Sequence, residues 1–397
     1  MFAVTPPEYV STVLDTLHAR GYYSCIVGGC VRDAIMGREP NDWDVATSAL
    51  PEQVLELYPD AIPTGMKHGT VTVRSGMNFV EVTTFRTDGG YSDHRHPDAV
   101  SFVGDLEIDL GRRDFTINAI AVSSDGEIAD PYHGIDDIRR GIVRCVGSPH
   151  KRFEEDALRM LRAFRFSSRL GFEIEPETRS AIGDCAHLAE NLSAERVRDE
   201  LEKILLTVHP EYLYELMSYG LINRFISKVP CSTGALKQIA SLPQKALPRW
   251  AAFCSELKQE GCIGSVSEFL KALRLDGGTV SCCESVCAIL EGILPVRVRD
   301  YKQLLRHYGS VAAECACQWA DVRFGGDRTS LCRQIMSSGE CCSLRSLAVN
   351  GDDLAALGLK GREIGEMLDF LLDYVIDYPD NNRRERLMAI ASASVEE

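Results

Sequence analysis

The chain has no apolar run long enough to cross a membrane, and its first residues are too polar for a secretion signal. Its 15 cysteines are scattered, and no two CxxC pairs lie at the spacing of a zinc site. We therefore expect reduced thiols in a cytoplasmic protein. The net charge of −15 argues against a protein that coats nucleic acid through its overall field, and we expect neither a membrane nor DNA as a partner.

What the sequence does contain is an ordinary globular composition with a local basic track. Apolar residues make up 45% and charged residues 25% of the 397 residues. A chain of this length suggests about two to four domains. The basic track is densest at Arg159, Arg162, Arg165 and Arg169. The negative overall charge therefore leaves room for a local anion-binding surface.

The stretch GGCVRDAIMGREPNDWD, from Gly28 to Asp44, combines a glycine turn with two aspartates. Gly28 and Gly29 follow a β-prone segment and precede a short predicted helix, VRDAIMG. In such a turn the glycines let backbone amides approach a phosphate, and the helix N-terminus favours negative charge. Arg32, about one turn into the helix, would add a charged donor. Taken alone, the glycine pair also fits a tight structural turn.

Asp42 and Asp44 are the candidate metal ligands. We place them in a strand that begins near Asp42, so that their side chains project from the same face. Two carboxylates on one face repel each other unless a cation lies between them, and Mg²⁺ is the usual partner of such oxygens. Glu81 is an acid in an otherwise apolar predicted strand, FVEVTTFR, and is the candidate for a third catalytic carboxylate. Solvated strand-end aspartates and a surface-facing Glu81 are the alternatives.

Two further segments are polar. Residues 87–101, TDGGYSDHRHPDAVS, predict a long mobile loop, and we do not expect its two histidines to bind metal. The motif RRDFTINA begins with Arg112 and Arg113, whose guanidinium forks suit a phosphate or the edge of a base. Surface ion pairs explain these two arginines equally well.

The character of the chain changes to helix near residue 149. In HKRFEEDALRMLRAFRFSSRLGF, Asp156, Arg159, Arg162 and Arg165 recur at a spacing of three, which predicts one stripe on one helix. The Asp156 carboxylate would accept from an exocyclic amine, and the Arg159 guanidinium would donate to a ring nitrogen or carbonyl. Cytosine and adenine present that pattern, whereas uracil and guanine reverse it. A solvated charged face is the alternative.

The predicted fold class is α+β. A head with a mixed sheet and helices occupies residues 1–147, and all-helical parts follow as a neck at 148–205, a body at 206–295 and a tail at 296–397. From residue 230 onward we find amphipathic helices, with no chemical motif and no internal repeat. The chemistry is therefore expected in the head and the neck.

The motifs GGCVRD, DWD, EVTTFR, RRDFTINA and EDALR occur in a fixed order. Together they resemble the class II tRNA nucleotidyltransferase and bacterial poly(A) polymerase family. The resemblance covers about residues 20–205, and the remainder is similar to the short bacterial members that lack an HD phosphohydrolase domain. It implies a polymerase β-like nucleotidyltransferase fold for the head and a tRNA-binding role for the tail.

The resemblance also implies roles for single residues. Gly29 and Arg32 match the motif that grips the triphosphate, and Asp42 and Asp44 match the Mg²⁺ ligands. The residues that match positions contacting the nucleotide or its base are Arg113, Asp156, Arg159, Arg162 and Arg165. Residues 87–101 look like the family's flexible loop, which is associated with the switch from C to A addition.

The implied reaction is template-independent addition of C, C and A to the 3′ end of tRNA, with CTP and ATP as substrates and pyrophosphate as product. Asp42 and Asp44 would hold two Mg²⁺ ions, with help from Glu81. A poly(A) polymerase or an A-adding enzyme of the same family is the alternative, although RRDFTINA lacks the extended signature of the poly(A) polymerases. A non-catalytic RNA-binding protein is a further alternative, against which the intact aspartate pair argues.

Overall fold

The structure is a computed structural model that describes residues 4–89 and 100–396. It divides into two compact units, of which the first ends at Arg224 and the second begins at Phe225. The predicted α+β class is confirmed, because every described strand lies in the first unit and the described part of the second unit is helical. The boundaries predicted at residues 147, 205 and 295 fall inside these units, and the division into four parts stays a prediction.

The first unit contains eleven strands and ten α-helices within the described residues. The strands are β1 (Ser24–Val27), β2 (Asp44–Thr47), β3 (Ile62–Gly65), β4 (Thr70–Ser75), β5 (Asn78–Thr84), β6 (Arg86–Asp88), β7 (Val100–Phe102), β8 (Ala121–Ser123), β9 (Ile128–Ala129), β10 (Ile142–Val143) and β11 (Glu173–Ile174). The helices are α1 (Glu8–Ala19), α2 (Gly29–Ile35), α3 (Pro51–Leu57), α4 (Leu106–Gly111), α5 (Gly134–Arg140), α6 (Pro149–Glu155), α7 (Leu158–Leu170), α8 (Pro176–Cys185), α9 (Ala194–Leu205) and α10 (Tyr212–Ser218).

Seven of the described strands form one mixed sheet with the order β3-β4-β5-β2-β1-β8-β9. Neighbouring strands run antiparallel except for β2 and β5, which are parallel. The predicted strand FVEVTTFR is confirmed as β5, which forms a hairpin with β4. In β5, Val80 and Val82 are fully buried and Glu81 between them is exposed. Such alternation is typical of a sheet with one covered face. The parallel pair places Asp44 directly beside Glu81.

The glycine turn has the predicted form. Strand β1 ends at Val27 and helix α2 begins at Gly29. Gly28, between them, has φ +78° and ψ −129°, a backbone conformation that side chains with a Cβ rarely adopt. The chain therefore reverses within one residue, and the first amides of α2 are left free of intrahelical partners at the end of the strand.

The predicted position of Asp42 within a strand is wrong. Strand β2 begins at Asp44, which pairs with Val27, the last residue of β1. Because the chain turns away at Gly28, a residue before Asp44 has no partner on that side, and Pro40 has no amide to donate to a ladder. The alternation of side chains along a strand therefore does not apply to Asp42.

The predicted single helix through the arginine stripe is also interrupted. Helix α6 ends at Glu155, and Asp156 is extended, with φ −147° and ψ 105°, before α7 begins at Leu158. The Asp156 carboxylate accepts a hydrogen bond from the Leu158 amide at 3.0 Å. Aspartate competes with the helix in this way by bonding to nearby backbone donors. The stripe of Arg159, Arg162 and Arg165 is confirmed on α7, but Asp156 is not part of it.

Residues 87–101 were predicted to form a long loop, but both ends of this segment lie in strands. Strands β6 and β7 pair antiparallel there, with Thr87 opposite Ser101 and Asp88 opposite Val100. The centre of the predicted loop, residues 90–99, lies outside the described residues, and so do its two histidines.

The second unit is built from nine described α-helices. They are α11 (Gly234–Gln238), α12 (Ala246–Gln259), α13 (Val266–Ala272), α14 (Gly277–Glu291), α15 (Val298–Phe324), α16 (Arg328–Ser337), α17 (Gly351–Ala355), α18 (Arg362–Asp377) and α19 (Arg384–Glu396). Helix α15 is kinked at Gly309, where φ is +76°. No helix within residues 4–89 and 100–396 is long and apolar enough to cross a membrane.

We expect Gly134→Ala to destabilise the first unit. Helix α5 begins at Gly134, and a Cβ at this residue would lie 2.1 Å from the backbone oxygen of Thr116, in the short 3-10 turn that carries Asn118. Backbone moves aside less readily than a flexible side chain, and overpacking of this kind lowers the free energy of unfolding by about 1–3 kcal/mol. Urea denaturation followed by circular dichroism measures the change.

Gly104→Ala is the matched control, because nothing lies within 4 Å of the Cβ position at Gly104. Its free energy of unfolding should remain close to that of the unchanged protein. An equally small effect of Gly134→Ala would contradict the close approach of α5 to the Thr116 turn.

Candidate active site

A cavity of about 480 Å³ in the first unit brings together eight of the ten predicted site residues. Its lining includes the glycines of the turn, Asp44 at the start of β2, and side chains of α7 and α9. The arginines on its wall are Arg32, Arg112, Arg113, Arg159, Arg162, Arg165, Arg169 and Arg196. The carboxylates on its wall are Asp44, Asp114 and Asp156. Asp42 and Glu81 are outside the lining of this cavity.

The glycine turn leaves room for charged side chains. A Cβ at Gly28 would lie 2.9 Å from Nη1 of Arg113, and one at Gly29 would lie 3.6 Å from Nη2 of Arg32. Arg32 is 2% exposed, and it donates to Asn118 Oδ1 at 2.5 Å and to Asp33 Oδ1 at 2.8 Å. Burial lowers the pKa of Arg32, although an arginine stays charged in proteins. The turn and a fixed guanidinium thus face the same cavity.

Arg113 adds a donor that the described residues do not satisfy. Its Nη2 lies 3.3 Å from Oδ2 of the buried Asp109. Its Nε is buried and makes no hydrogen bond within the described residues. A buried donor without an acceptor is unfavourable by itself, so this atom fits an anion that enters the cavity beside Gly28.

The candidate metal ligands Asp42 and Asp44 lie near the candidate third carboxylate, Glu81, and of the three only Asp44 lines the cavity. Asp44 and Glu81 are direct neighbours on β2 and β5, and Asp42 precedes Asp44 by two residues. Their carboxylates make no hydrogen bond or ion pair with the described residues. Loss of solvation raises the pKa of Asp44 although the side chain still reaches solvent, and the charges of Glu81 and Asp42 raise it further, while Arg113 acts in the opposite direction. A cation bound by these carboxylates would relieve the repulsion between them.

The residues present fit an Mg²⁺ ion that is coordinated by both the protein and the substrate. In the part of the chain that the structure describes, no three acidic, histidine or cysteine side chains lie close enough together to hold a metal ion by themselves. Mg²⁺ seldom uses an all-protein cage, since it commonly takes one or two carboxylates and completes its shell with substrate phosphates and water. The carboxylates of Asp42, Asp44 and Glu81, which have no partner among the described residues, are suited to such a shared site.

The arginines of α7 are held by carboxylates from other segments. Arg162 donates through Nε to Asp114 Oδ2 at 2.8 Å, and Arg165 lies 2.7 Å from Glu200 Oε2 on α9. Burial alone would raise the pKa of Asp114, but Arg162 and a hydrogen bond from Asn118 hold it well below its ordinary value. Burial and the neighbouring Arg162 lower the pKa of Arg165 to about 10. The column is therefore neither self-repelling nor merely solvated.

An aromatic ring separates three of these guanidinium groups. The centroid of Phe166 lies 5.3 Å from Cζ of Arg32, 5.5 Å from that of Arg162 and 4.4 Å from that of Arg165. Each distance lies within the range of a cation–π interaction. The sequence patterns did not single out Phe166, Asp114, Asn118 or Glu200 as site residues. The position of an aromatic residue inside a run of arginines was the available signal for Phe166.

Asp156 and Arg159 share the cavity but are not bonded to each other. Asp156 receives a two-pronged ion pair from Arg196, with Nη1 to Oδ1 at 3.1 Å and Nη2 to Oδ2 at 2.8 Å. Arg159 donates through Nη1 to Glu155 Oε2 at 2.7 Å and through Nη2 to the backbone oxygen of Arg112 at 3.3 Å. Each member of the predicted base-reading pair is thus held by a partner of its own.

The remaining hydrogen-bonding capacity of the pair has a definite pattern. Oδ1 of Asp156 accepts from both Arg196 and the Leu158 amide, whereas Oδ2 accepts only from Arg196. Oδ2 therefore keeps one acceptor site, because each carboxylate oxygen has about two. The Nε–H of Arg159 and one of its Nη2 hydrogens remain available among the described residues. One acceptor and two donors thus remain on two residues that line the cavity.

Known protein families match both parts of the first unit. The model of the "Poly A polymerase head domain" matches residues 24–144, and that of the "Probable RNA and SrmB- binding site of polymerase A" matches residues 171–230. Members of this family generally use a divalent metal ion.

Relatives match along nearly the whole chain. The CCA-adding enzyme of Lactiplantibacillus plantarum is 37% identical over 97% of this chain and 96% of its own length. That of Geobacillus kaustophilus is 36% identical over the same shares. The crystal structure of the Bacillus stearothermophilus CCA-adding enzyme in complex with CTP superposes with a TM-score of 0.85 at 34% identity, covering 99% of this chain and 98% of that chain. With this identity sustained over the full length, the chain belongs to the CCA-adding enzyme family of nucleotidyltransferases.

Proposed function

We propose that this chain adds C, C and A to the 3′ end of tRNA, using CTP and ATP and releasing pyrophosphate. The single observation that carries the proposal is the cavity in which the glycine turn, Asp44 and the pair of Asp156 and Arg159 come together. The turn and the carboxylates alone would suit many nucleotidyl transfers. The acceptor on Asp156 and the donors on Arg159 restrict the nucleotide.

The triphosphate occupies the end of the cavity near the turn. Arg113 lies beside Gly28 and Arg32 lies beside Gly29, and the Nε–H of Arg113, which has no acceptor among the described residues, is a donor for a phosphate oxygen. The N-terminus of α2 adds its amides and the positive end of its dipole. Arg165 is paired with Glu200, and its guanidinium is a further donor for the phosphates.

Asp42 and Asp44 hold the divalent metal, which we propose to be Mg²⁺ in two sites, and Glu81 assists them. Bound there, Mg²⁺ would neutralise triphosphate charge and lower the pKa of the tRNA 3′-hydroxyl. The 3′-oxygen of the tRNA attacks the α-phosphorus, a new phosphodiester bond forms, and the bond to the leaving pyrophosphate breaks. The Asp42 and Asp44 carboxylates would coordinate the metal ion, and the arginines stabilise the negative charge that develops on the leaving group.

The base is chosen by its Watson–Crick edge. The exocyclic amine of cytosine or adenine donates to Oδ2 of Asp156, and the ring acceptors of these bases receive hydrogen bonds from Arg159. Uracil and guanine carry a carbonyl where the amine should be, so that two acceptors would face each other without a hydrogen. A buried acceptor left without a donor is unfavourable by about 1–3 kcal/mol. The protein therefore acts as the template.

The tRNA is bound by the helical parts that follow the head. The match of an RNA-binding model to residues 171–230 supports RNA contacts that begin in the neck and continue into the body. We propose the four-part division at residues 147, 205 and 295 and assign the tail to tRNA. Recognition proceeds through backbone and shape, as for other double-stranded RNA.

The compartment that we propose is the cytoplasm. All 15 cysteines lie in the described part of the chain, and each is a free thiol. Burial raises the pKa of Cys30, in the helix of the glycine turn, to about 11, so this thiol stays protonated beside the site. Free thiols in such number are typical of a reducing compartment.

We expect Asp42→Ala and Asp44→Ala each to abolish nucleotide incorporation while the fold stays intact. Neither carboxylate has a partner among the described residues, so its loss breaks no contact there. A lost metal ligand removes on the order of several kcal/mol of transition-state stabilisation, which corresponds to a decrease in rate by a factor of about a thousand or more. Labelled CMP incorporated into tRNA without its CCA end, with Mg²⁺ present, measures the rate.

Asp60→Ala is the control for these variants, because Asp60 is exposed and outside the cavity. EDTA should stop the unchanged enzyme, and excess Mg²⁺ should restore it. Incorporation at the normal rate by either Asp42→Ala or Asp44→Ala would refute the metal assignment.

We expect Arg159→Ala and Arg32→Lys to fail in different ways. Arg159→Ala removes the donors to the base, so discrimination against UTP and GTP should fall by a factor of about ten, while KM for CTP changes less. Arg32→Lys keeps the charge but loses the fork, so KM should rise alike for all triphosphates. Steady-state kcat/KM for each of the four triphosphates separates the two effects. If Arg159→Ala discriminated against UTP and GTP as well as the unchanged enzyme does, the assignment of Arg159 to base recognition would be wrong.

The product itself separates this function from its relatives. With tRNA that lacks its last three nucleotides, the enzyme should add C, C and A and then stop, and omission of CTP should prevent any addition. A poly(A) polymerase would instead add a long A tail, and an A-adding enzyme would require a tRNA that already ends in CC. Sequencing the products with each triphosphate omitted in turn decides among these outcomes.

A further inference from the structure

We infer that Arg196 is a positioning residue for nucleotide choice, which acts by fixing the carboxylate of Asp156. The inference rests on the proposed function, since it concerns the same cavity and the same reaction. Arg196 lies on α9, forty residues from Asp156 along the chain, and both side chains line the cavity. The base itself is read by Asp156 and Arg159, whereas Arg196 acts through Asp156.

The geometry of the contact is that of a fork on a carboxylate. The two terminal nitrogens of Arg196 reach the two oxygens of Asp156 at 3.1 and 2.8 Å. The side chains are only 21% and 16% exposed, so the pair is largely shielded from water. Two parallel charge-assisted hydrogen bonds fix the plane of the carboxylate as well as its position. A single contact, or a contact with lysine, would fix the position alone.

The ion pair with Arg196 determines which acceptor site of the Asp156 carboxylate remains available. Arg196 occupies one acceptor site on each oxygen of Asp156, and the Leu158 amide occupies the second site of Oδ1. One site on Oδ2 is left, and its direction follows from the plane that the fork imposes. Without the fork the carboxylate can rotate about its last torsion, which is intrinsically broad. The remaining acceptor would then lose its alignment with the exocyclic amine of cytosine or adenine.

Arg159 is also fixed by an oppositely charged residue, Glu155. Glu155 Oε2 accepts from Arg159 Nη1 at 2.7 Å and from Arg152 Nη1 at 2.7 Å. The acceptor and the donors that face the base are therefore each oriented by an oppositely charged neighbour. A purely structural ion pair between α9 and the segment that precedes α7 would affect all four nucleotides equally. A positioning role instead predicts an effect on the ratio of their kcat/KM values.

The test compares Arg196→Lys and Arg196→Gln with the unchanged enzyme on tRNA without its CCA end. We expect the ratios of kcat/KM for CTP over UTP and for ATP over GTP to fall by a factor of about ten or more in both variants. The loss should appear in these ratios while KM for CTP and the thermal unfolding midpoint stay near their original values. Lysine keeps the charge and glutamine keeps a donor, so neither leaves Asp156 wholly unpaired.

Arg144→Lys is the matched control. Arg144 lies in the same unit, its Nε is 3.1 Å from the buried Asp137, and it does not line the cavity. This variant should keep both ratios. In an Asp156→Ala background, Arg196→Lys should lower the ratios no further, because the residue through which it acts is absent.

The outcomes separate this inference from the proposed function. If the unchanged enzyme incorporates no CMP, the proposed function fails and the inference fails with it. If the unchanged enzyme adds CCA and both Arg196 variants retain its nucleotide ratios, only the inference is overturned. An equal loss in Arg144→Lys, or a further loss in the Asp156→Ala background, would likewise overturn it and assign Arg196 a structural role.

Discussion

Arginines can be crowded around one cavity only if carboxylates share their surroundings. Eight arginines line the cavity of the first unit, and an uncompensated set of this size would repel itself and lose its hydration. The structure meets this requirement with acids from distant segments. Asp114 holds Arg162, Glu200 holds Arg165, Asp156 holds Arg196 and Asp33 holds Arg169. Two of these pairs, Asp114 with Arg162 and Asp33 with Arg169, join α7 to segments that come before it in the chain.

The same constraint sorts the acids of the site into two groups. Those that compensate arginines are buried or half-buried and already bonded, so they are held in place without any ligand. Asp42, Asp44 and Glu81 are the other group, since their carboxylates have no partner among the described residues. A fixed cationic wall and a group of carboxylates that no described cation compensates therefore lie side by side. This is the preorganisation that phosphoryl transfer needs, because most of its catalysis is positioning and electrostatics.

Local chemistry in the head could be predicted from the sequence, and pairings between distant segments could not. The turn at Gly28 and the hairpin of β4 and β5 follow from glycine conformation and alternation, which act over a few residues. The carboxylate that holds each arginine lies up to 136 residues away, as for Arg169 and Asp33, and an ion pair leaves no periodic trace in a sequence. The order of the motifs, matched to a family, supplied what spacing alone could not.

The failure of the single-helix prediction has a physical cause that bears on specificity. Helix propensity favoured continuity through Asp156, but an aspartate next to free backbone amides can cap a new helix instead. By leaving the helix, Asp156 accepts from the Leu158 amide, sits near the positive end of the α7 dipole and turns its carboxylate toward Arg196. A continuous helix would have satisfied the Leu158 amide internally and taken away the contact that occupies Oδ1. The break in the helix thus leaves an acceptor site on Oδ2 of Asp156. Under the proposed function, this is the site that accepts from the amine of C or A, so the loss of helical continuity at one residue contributes to the choice of nucleotide.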